Sequence, residues 1–128
     1  DVYKRQEYET KTVMISVNPE LFSRLLVNLV SNAYRYGREN GHIRVRLWQE
    51  DSSLVLSVAD DGIGIARNEQ EKIFRRFYQA DASRGGEGTG LGLAMVYEIA
   101  RFYHGTVTVE SVVDQGSTFV VRMPAGQS

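Results

Sequence analysis

Apolar positions along this chain alternate with polar ones in some runs and return at helical spacing in others. "KTVMISV" sets Val13, Ile15 and Val17 on one face, which predicts a strand. Asn18 then stands as a helix cap, with Pro19 at the first helical position. Leu21, Phe22, Leu25, Leu26, Leu29, Val30 and Ala33 follow as one broad stripe, so the helix should run to about Gly37. In "HIRVRLWQ", Ile43, Val45 and Leu47 face one way and Arg44, Arg46 and Trp48 the other. "LVLSVAD" also alternates, and the short link "EDSS" makes the two runs a hairpin. "NEQEKIFRRFYQA" predicts a helix with Ile73, Phe74, Phe77 and Tyr78 on its apolar side, and residues 81–87, small and polar, predict a loop. A second long helix should run from about Leu91 to His104, capped by Gly105. "TVTVES" and "STFVVRM" close the chain as strands joined by "VVDQG". The order β-α-β-β-α-loop-α-β-β predicts an α/β (α+β) two-layer sandwich, a mixed, mainly antiparallel sheet covered on one face by helices.

At 128 residues, 42% hydrophobic and 24% charged, the chain has the size and balance of one globular domain. A net charge of -1 lends no support to nucleic-acid or membrane-surface binding. No cysteine is present, and His42 and His104 lie far apart, which leaves no zinc spacing. No apolar run reaches membrane-spanning length. The opening "DVYKRQ" reads as upstream or non-native sequence, so residues 1–6 are set apart from a domain at 7–128, itself expected to be a fragment of a longer protein.

Five glycines in the nine residues "GGEGTGLGL", 85 to 93, lead into the second long helix. Such turns cradle phosphates. A P-loop needs Lys and Ser or Thr after its last glycine, but Gly92 is followed by Leu93 and Ala94. A dinucleotide fingerprint needs a strand immediately before, and "QADASRGGE" is irregular. By itself the stretch is a linker or a capping turn.

Two other stretches add chemistry. In "NLVSNAYRY", Asn28, Asn32 and Arg35 fall at i, i+4 and i+7 along one edge of the apolar helix stripe. Polar residues at a core boundary are common; two amides aligned with an arginine are less so. An amide oxygen is a neutral hard ligand suited to Mg²⁺, which takes few protein ligands beside phosphates and water. In "VADDGIGI" a strand ends at Asp60 and two glycines follow at alternate positions. Asp-Gly pairs form turns without any ligand. A carboxylate there would also accept from adenine's exocyclic amino group and disfavour guanine's carbonyl, with Gly62 and Gly64 letting the backbone approach the base.

The four stretches Asn-x-x-x-Asn-Ala, Asp-x-Gly-x-Gly-Ile, "IFRRFYQ" and Gly-Thr-Gly-Leu-Gly-Leu resemble, in order, the N, G1, F and G2 boxes. These mark the catalytic ATP-binding domain of bacterial sensor histidine kinases, a Bergerat (GHKL) fold. "YHGTVTVESVVDQGSTFVVRMP" resembles that family's closing helix end and hairpin, and the likeness spans residues 13 to 124. The resemblance implies that Asn32 ligates Mg²⁺ on the triphosphate, that Asn28 helps hold that site, and that Arg35 and Tyr36 meet phosphate and adenine. It implies that Asp60 binds the adenine amino group, with Thr118 of "GSTF" in the same water network. Gly88, Gly90 and Gly92 would form a lid hinge and bring helix amides to the phosphates. Ile65, Phe77, Thr89, Leu91 and Leu93 come with the boxes as nucleotide-binding positions.

Departures from the pattern carry their own consequences. The family often has an arginine after "RFY", where this chain has Gln79, and Arg84 is the nearest candidate to replace it. ATPases of the wider superfamily have a water-activating glutamate at the position of Asn28, so hydrolysis should be slow. Neither histidine sits in a phosphoacceptor motif, so the chain resembles the kinase half without its substrate half. The implied partners are ATP, the dimerisation and phosphotransfer domain of the parent kinase, and a downstream response regulator. The domain should be a cytoplasmic monomer, whether or not its parent is anchored in the bacterial inner membrane. Phe74 and Phe77 are candidates either for the docking surface of the parent's helices or for the core. Other members of the superfamily (an anti-sigma-factor serine kinase, a gyrase, a chaperone-type ATPase) and a non-catalytic nucleotide-binding module are the competing readings.

Overall fold

The computed structural model describes residues 5–10, 17–75, 78 and 92–124. Its elements are β1 (Arg5–Thr10), α1 (Pro19–Tyr36), β2 (His42–Glu50), β3 (Ser53–Asp60), a 3-10 turn (Arg67–Glu69), α2 (Gly92–Phe102), β4 (Thr106–Val112) and β5 (Gly116–Pro124). The strands lie in the order β1-β2-β3-β5-β4. β1 pairs with β2 in parallel and every other pair is antiparallel. The mixed, mainly antiparallel sheet expected from the alternation is therefore the sheet observed.

Alternation also decides which face is covered. Ile43 and Val45 of β2, Leu54, Leu56 and Val58 of β3, and Phe119, Val121 and Met123 of β5 form one core with Leu25, Leu29 and Ala33 of α1 and Val96, Ile99 and Ala100 of α2. Arg44 and Arg46, on the other parity of β2, are exposed. α1 begins as predicted: the Asn18 side chain accepts from Glu20 N (2.8 Å) and Leu21 N (3.1 Å). The Tyr103 hydroxyl accepts from Asn18 N (2.8 Å), which ties the end of α2 to the start of α1.

Three local expectations need correcting. The run expected as the first strand lies outside the described residues but for Val17, which is in no strand; the first described strand is Arg5–Thr10, and it takes in Arg5 and Gln6. Its parallel pairing with β2 accounts for the crossover through α1. Next, the segment expected as a helix from Asn68 is, in its described part, a 3-10 turn continued by i-to-i+3 bonds, Lys72 N to Glu69 O and Arg75 N to Lys72 O (both 2.9 Å). The Gln70 side chain explains the departure, because it donates to Ile65 O (2.9 Å) and Ser111 O (3.1 Å) and pins the segment to β4. Ile73 is buried there as predicted, and Phe74 packs edge-on to Phe119 (6.1 Å between ring centres), which gives Phe74 to the core. Lastly, His104 rather than Gly105 takes the left-handed position that ends α2, with φ of 62°. Gly105 N donates to Ala100 O (2.8 Å) and His104 N to Arg101 O (2.9 Å), a Schellman ending one residue earlier than expected. The loop predicted at residues 81–87 lies outside the described residues.

Candidate functional site

Asp60 is the last residue of β3, paired with Ile43 on one side and Ser117 on the other. It shares the helix-covered face with Leu54, Leu56 and Val58, so its carboxylate is only 9% exposed at the edge of an apolar core. Oδ1 accepts from Gly62 N (2.9 Å), an Asx turn that fixes the carboxylate's direction. The two glycines that follow serve the chain's own packing. A Cβ on Gly62 would overlap the Tyr36 carbonyl oxygen; Gly64 has φ of 74°, and a Cβ there would overlap the Val112 carbonyl.

The strand register corrects the hydroxyl expected beside Asp60. Thr118 lies opposite Ala59 and Glu110, on the other face of the sheet. Ser117 is the residue directly opposite Asp60, and it is 3% exposed. Its Oγ lies 2.8 Å from Ser111 Oγ, which in turn accepts from Ile65 N (2.7 Å) and donates to Gly116 O (2.9 Å). With the Ser111 proton committed to Gly116, Ser117 donates to Ser111. The parity of "GSTFVVRM" carried the signal, because Ser117 shares it with the buried Phe119, Val121 and Met123.

Along α1, Asn28, Asn32 and Arg35 are half-buried beside Leu25, Leu29 and Ala33, as the spacing required. The Asn28 amide donates weakly to Met95 Sδ (3.5 Å), and its Oδ1 lies against Gly92, where an added Cβ would come within 3.3 Å. Asn28 thus faces the first turn of α2. Arg35 has Nε and one terminal nitrogen buried with no hydrogen-bond partner among the described residues. Donors left in that condition are costly unless an acceptor arrives, which fits an anion binding there.

Tyr36, Ile65, Ile73, Tyr78 and Leu93 line one cavity of about 20 Å³. Each of the four motif stretches contributes: Tyr36 from the first, Ile65 from the second, Ile73 and Tyr78 from the third, Leu93 from the fourth. The Tyr78 hydroxyl donates to Glu69 Oε1 (2.5 Å). Phe77, Gln79, Arg84, Gly88, Thr89, Gly90 and Leu91 lie outside the described residues. Among the described residues no group of three or more His, Cys, Asp or Glu could hold a metal, and no helix is long and apolar enough to cross a membrane.

A two-layer α/β domain with a nearly buried carboxylate, an arginine that lacks hydrogen-bond partners among the described residues and a small cavity walled from four motif stretches has the parts of a nucleotide-binding domain. Residues 17–127 match the model of the histidine kinase-, DNA gyrase B-, and HSP90-like ATPases, and the chain belongs to that family. Among its relatives it is similar to the circadian input-output histidine kinase CikA of Synechococcus elongatus, with 39% identity over 109 residues, 84% of this chain and 14% of that protein. It is also similar to the sensor histidine kinase WalK of Bacillus subtilis, with 33% identity over 118 residues, 89% of this chain and 19% of that protein. Among solved structures, a mycobacterial sensor histidine kinase, MprB, superposes with a TM-score of 0.82 at 27% identity, covering 96% of this chain and 86% of that one. Full-length ShkA in complex with AMPPNP superposes with a TM-score of 0.83 at 26% identity, over 97% of this chain and 26% of that one. The chain is the ATP-binding catalytic module of the sensor histidine kinase type, and it spans under a quarter of the length of the curated relatives named here.

Proposed function

We propose that this domain holds ATP with its adenine at Asp60 and its phosphates along α1, and donates the γ-phosphoryl to a histidine on a separate dimerisation domain of its parent. The observation that carries this reading is a cavity to which all four motif stretches contribute a wall residue. Its volume of about 20 Å³ has room for little more than one water, so a purine enters only when the wall around Tyr78 and Leu93 moves outward.

At the adenine end, Asp60 accepts from the exocyclic amino group, and Ser117 takes the place in the hydroxyl network expected for Thr118. At the phosphate end, Arg35 gains through the phosphate oxygens the acceptors it lacks among the described residues. Mg²⁺ fits the same edge, because Asn32 and Asn28 present neutral hard oxygens and the charge balance comes from the nucleotide. Once bound, the ion neutralises charge developing on the transferring phosphoryl. Asn32 is the ligand in this reading, and Asn28 keeps Gly92 and the start of α2 close to it. The amides of Gly88, Gly90 and Gly92 complete the phosphate cradle, and Arg84 supplies a cation in place of the one absent at Gln79.

No carboxylate stands at Asn28, so nothing at that position can take a proton from water. The phosphoryl is therefore kept for a histidine, and the response regulator receives it downstream. The test is γ-labelled ATP with Mg²⁺, given to the domain alone and then with a histidine-bearing helical domain in trans. Label on the added histidine, with none on this chain and slow phosphate release, is the expected result. Rapid phosphate release by the domain alone would make it an ATPase of the wider superfamily instead.

A further inference from the structure

Beyond the nucleotide contacts lies the question of what aims the Asp60 carboxylate. Its Oδ1 accepts from Gly62 N, so its direction depends on the turn at residues 61–64. β3 ends at Asp60, so this turn has no ladder to satisfy its backbone groups, and each must find a partner elsewhere. Ile63 N donates to Tyr36 O (3.0 Å), and Ile63 O accepts from Asp114 N (2.8 Å). The carbonyls of Asp61 and Gly62 go to one side chain. Arg38 donates from Nε to Asp61 O and from a terminal nitrogen to Gly62 O (3.4 Å) and to Asp114 O (2.5 Å).

We infer that Arg38 is a positioning residue for adenine selection: its guanidinium ties the turn after Asp60 to the β4–β5 turn at Asp114 and so holds the carboxylate on the base. Arg38 is exposed, lies past the C-terminal end of α1, and donates to carbonyl oxygens of the two turns. A planar fork with several fixed donors can serve carbonyls from two segments at once, whereas a lysine ammonium acts as a single point. Asp61 is held in its turn by β2, since His42 N donates to its Oδ1 (2.9 Å) and His42 Nδ1 lies 3.2 Å from its Oδ2. The carboxylate that reads the base is thus braced from α1, β2 and the β4–β5 turn.

This inference rests on the assignment of adenine to Asp60, and the test separates the two. Calorimetry of the 128-residue chain with ATP and with GTP gives a ratio of affinities for each variant. Arg38→Ala should lower ATP affinity by roughly tenfold, the equivalent of about one net hydrogen bond, and GTP affinity much less. The ATP:GTP ratio therefore falls, a change that general loosening of the fold would not produce. Arg38→Lys should recover part of the ratio, and Arg24→Ala, at an exposed arginine on α1, should leave it unchanged. If Arg38→Ala shows no cooperative thermal transition, Arg38→Gln, which retains two amide donors, provides the same readout. An unchanged ratio in a folded Arg38 variant, or equal losses for ATP and GTP, overturns the inference. No adenine preference in the unsubstituted chain removes the reading of Asp60 first, and this inference with it.

Discussion

The turn after Asp60 and the α1 edge bearing Asn28, Asn32 and Arg35 are finished to different degrees. At the turn, Gly62 N, Ile63 N and O, and the carbonyls of Asp61 and Gly62 are all satisfied by the chain itself. On the α1 edge, Asn28 makes one weak contact to sulfur and Arg35 has two buried nitrogens with no hydrogen-bond partner among the described residues. Base selection needs an acceptor fixed before the ligand arrives, because a mobile carboxylate would follow either purine. Phosphate binding needs donors and hard ligands held in reserve, because the triphosphate and its metal supply the missing partners. On the proposed reading, one end is thus pre-organised by the chain itself, and the other keeps groups, unsatisfied among the described residues, that binding relieves.

The largest effect should fall at the unfinished end. Asn32→Ala removes the proposed metal ligand, and a metal contributes several kcal/mol to phosphoryl transfer, so labelled transfer should drop by more than about a hundredfold. Adenosine affinity, measured by calorimetry, should stay within about twofold, a change equivalent to about 0.4 kcal/mol. Normal transfer by this variant would reduce Asn32 to a boundary residue. Next comes the finished end. Asp60→Asn keeps an oxygen for Gly62 N but puts a donor or a neutral acceptor against the base, which should weaken ATP binding by about 1.5–3 kcal/mol.

Arg35→Met separates the two ends by sign. It removes buried donors that lack partners among the described residues, so the nucleotide-free chain should gain about 1 kcal/mol of stability in urea unfolding. The same variant should bind ATP more weakly than the parent chain. A loss of stability would show that Arg35 is already satisfied without a ligand, which would erase the contrast.

The smallest effect concerns acid. Burial raises the Asp61 carboxyl, but the hydrogen bonds from His42 outweigh it and hold the group below its ordinary value of 3.8. A depressed carboxyl contributes stability that is present above 3.8 and fades as the pH falls through the lower folded value. With the side chain 45% exposed, the contribution is screened and small. Asp61→Asn should therefore lower Tm slightly at about pH 6 and cease to matter in strong acid.

How much of this is legible in the sequence differs between the two ends for a physical reason. The α1 edge follows from helical spacing alone, so Asn18, the apolar stripe and the Asn28–Asn32–Arg35 line can all be read from the order of residues. The hairpin of β2 and β3 and the covered face of the sheet follow from alternation in the same way. The turn after Asp60 is made of contacts between segments distant in sequence, Arg38 to Asp114 and Gly62 to Tyr36, which no local period encodes. A motif match misplaces Thr118 because it names a stretch, whereas strand parity decides which of two adjacent hydroxyls faces the core. The segment from Asn68 follows helical periodicity, yet its described part forms tighter turns, because Gln70 is held by Ile65 and Ser111, a tertiary bond that overrides local preference. His104 displaces Gly105 from the left-handed position for a smaller reason, a shift of one residue in where α2 ends.

The most direct measurement is a crystal structure of this chain with Mg²⁺ and a non-hydrolysable ATP analogue. The account predicts the adenine amino group on Asp60, backbone at residues 60–64 shifted by less than about 1 Å as in pre-organised sites, and Arg35 newly paired to phosphate oxygens with Asn32 on the metal. The wall around Tyr78 and Leu93 should have moved outward to admit the base. A nucleotide seated with Arg35 still unpaired, or an Asp60 turn rebuilt around the base, would contradict it.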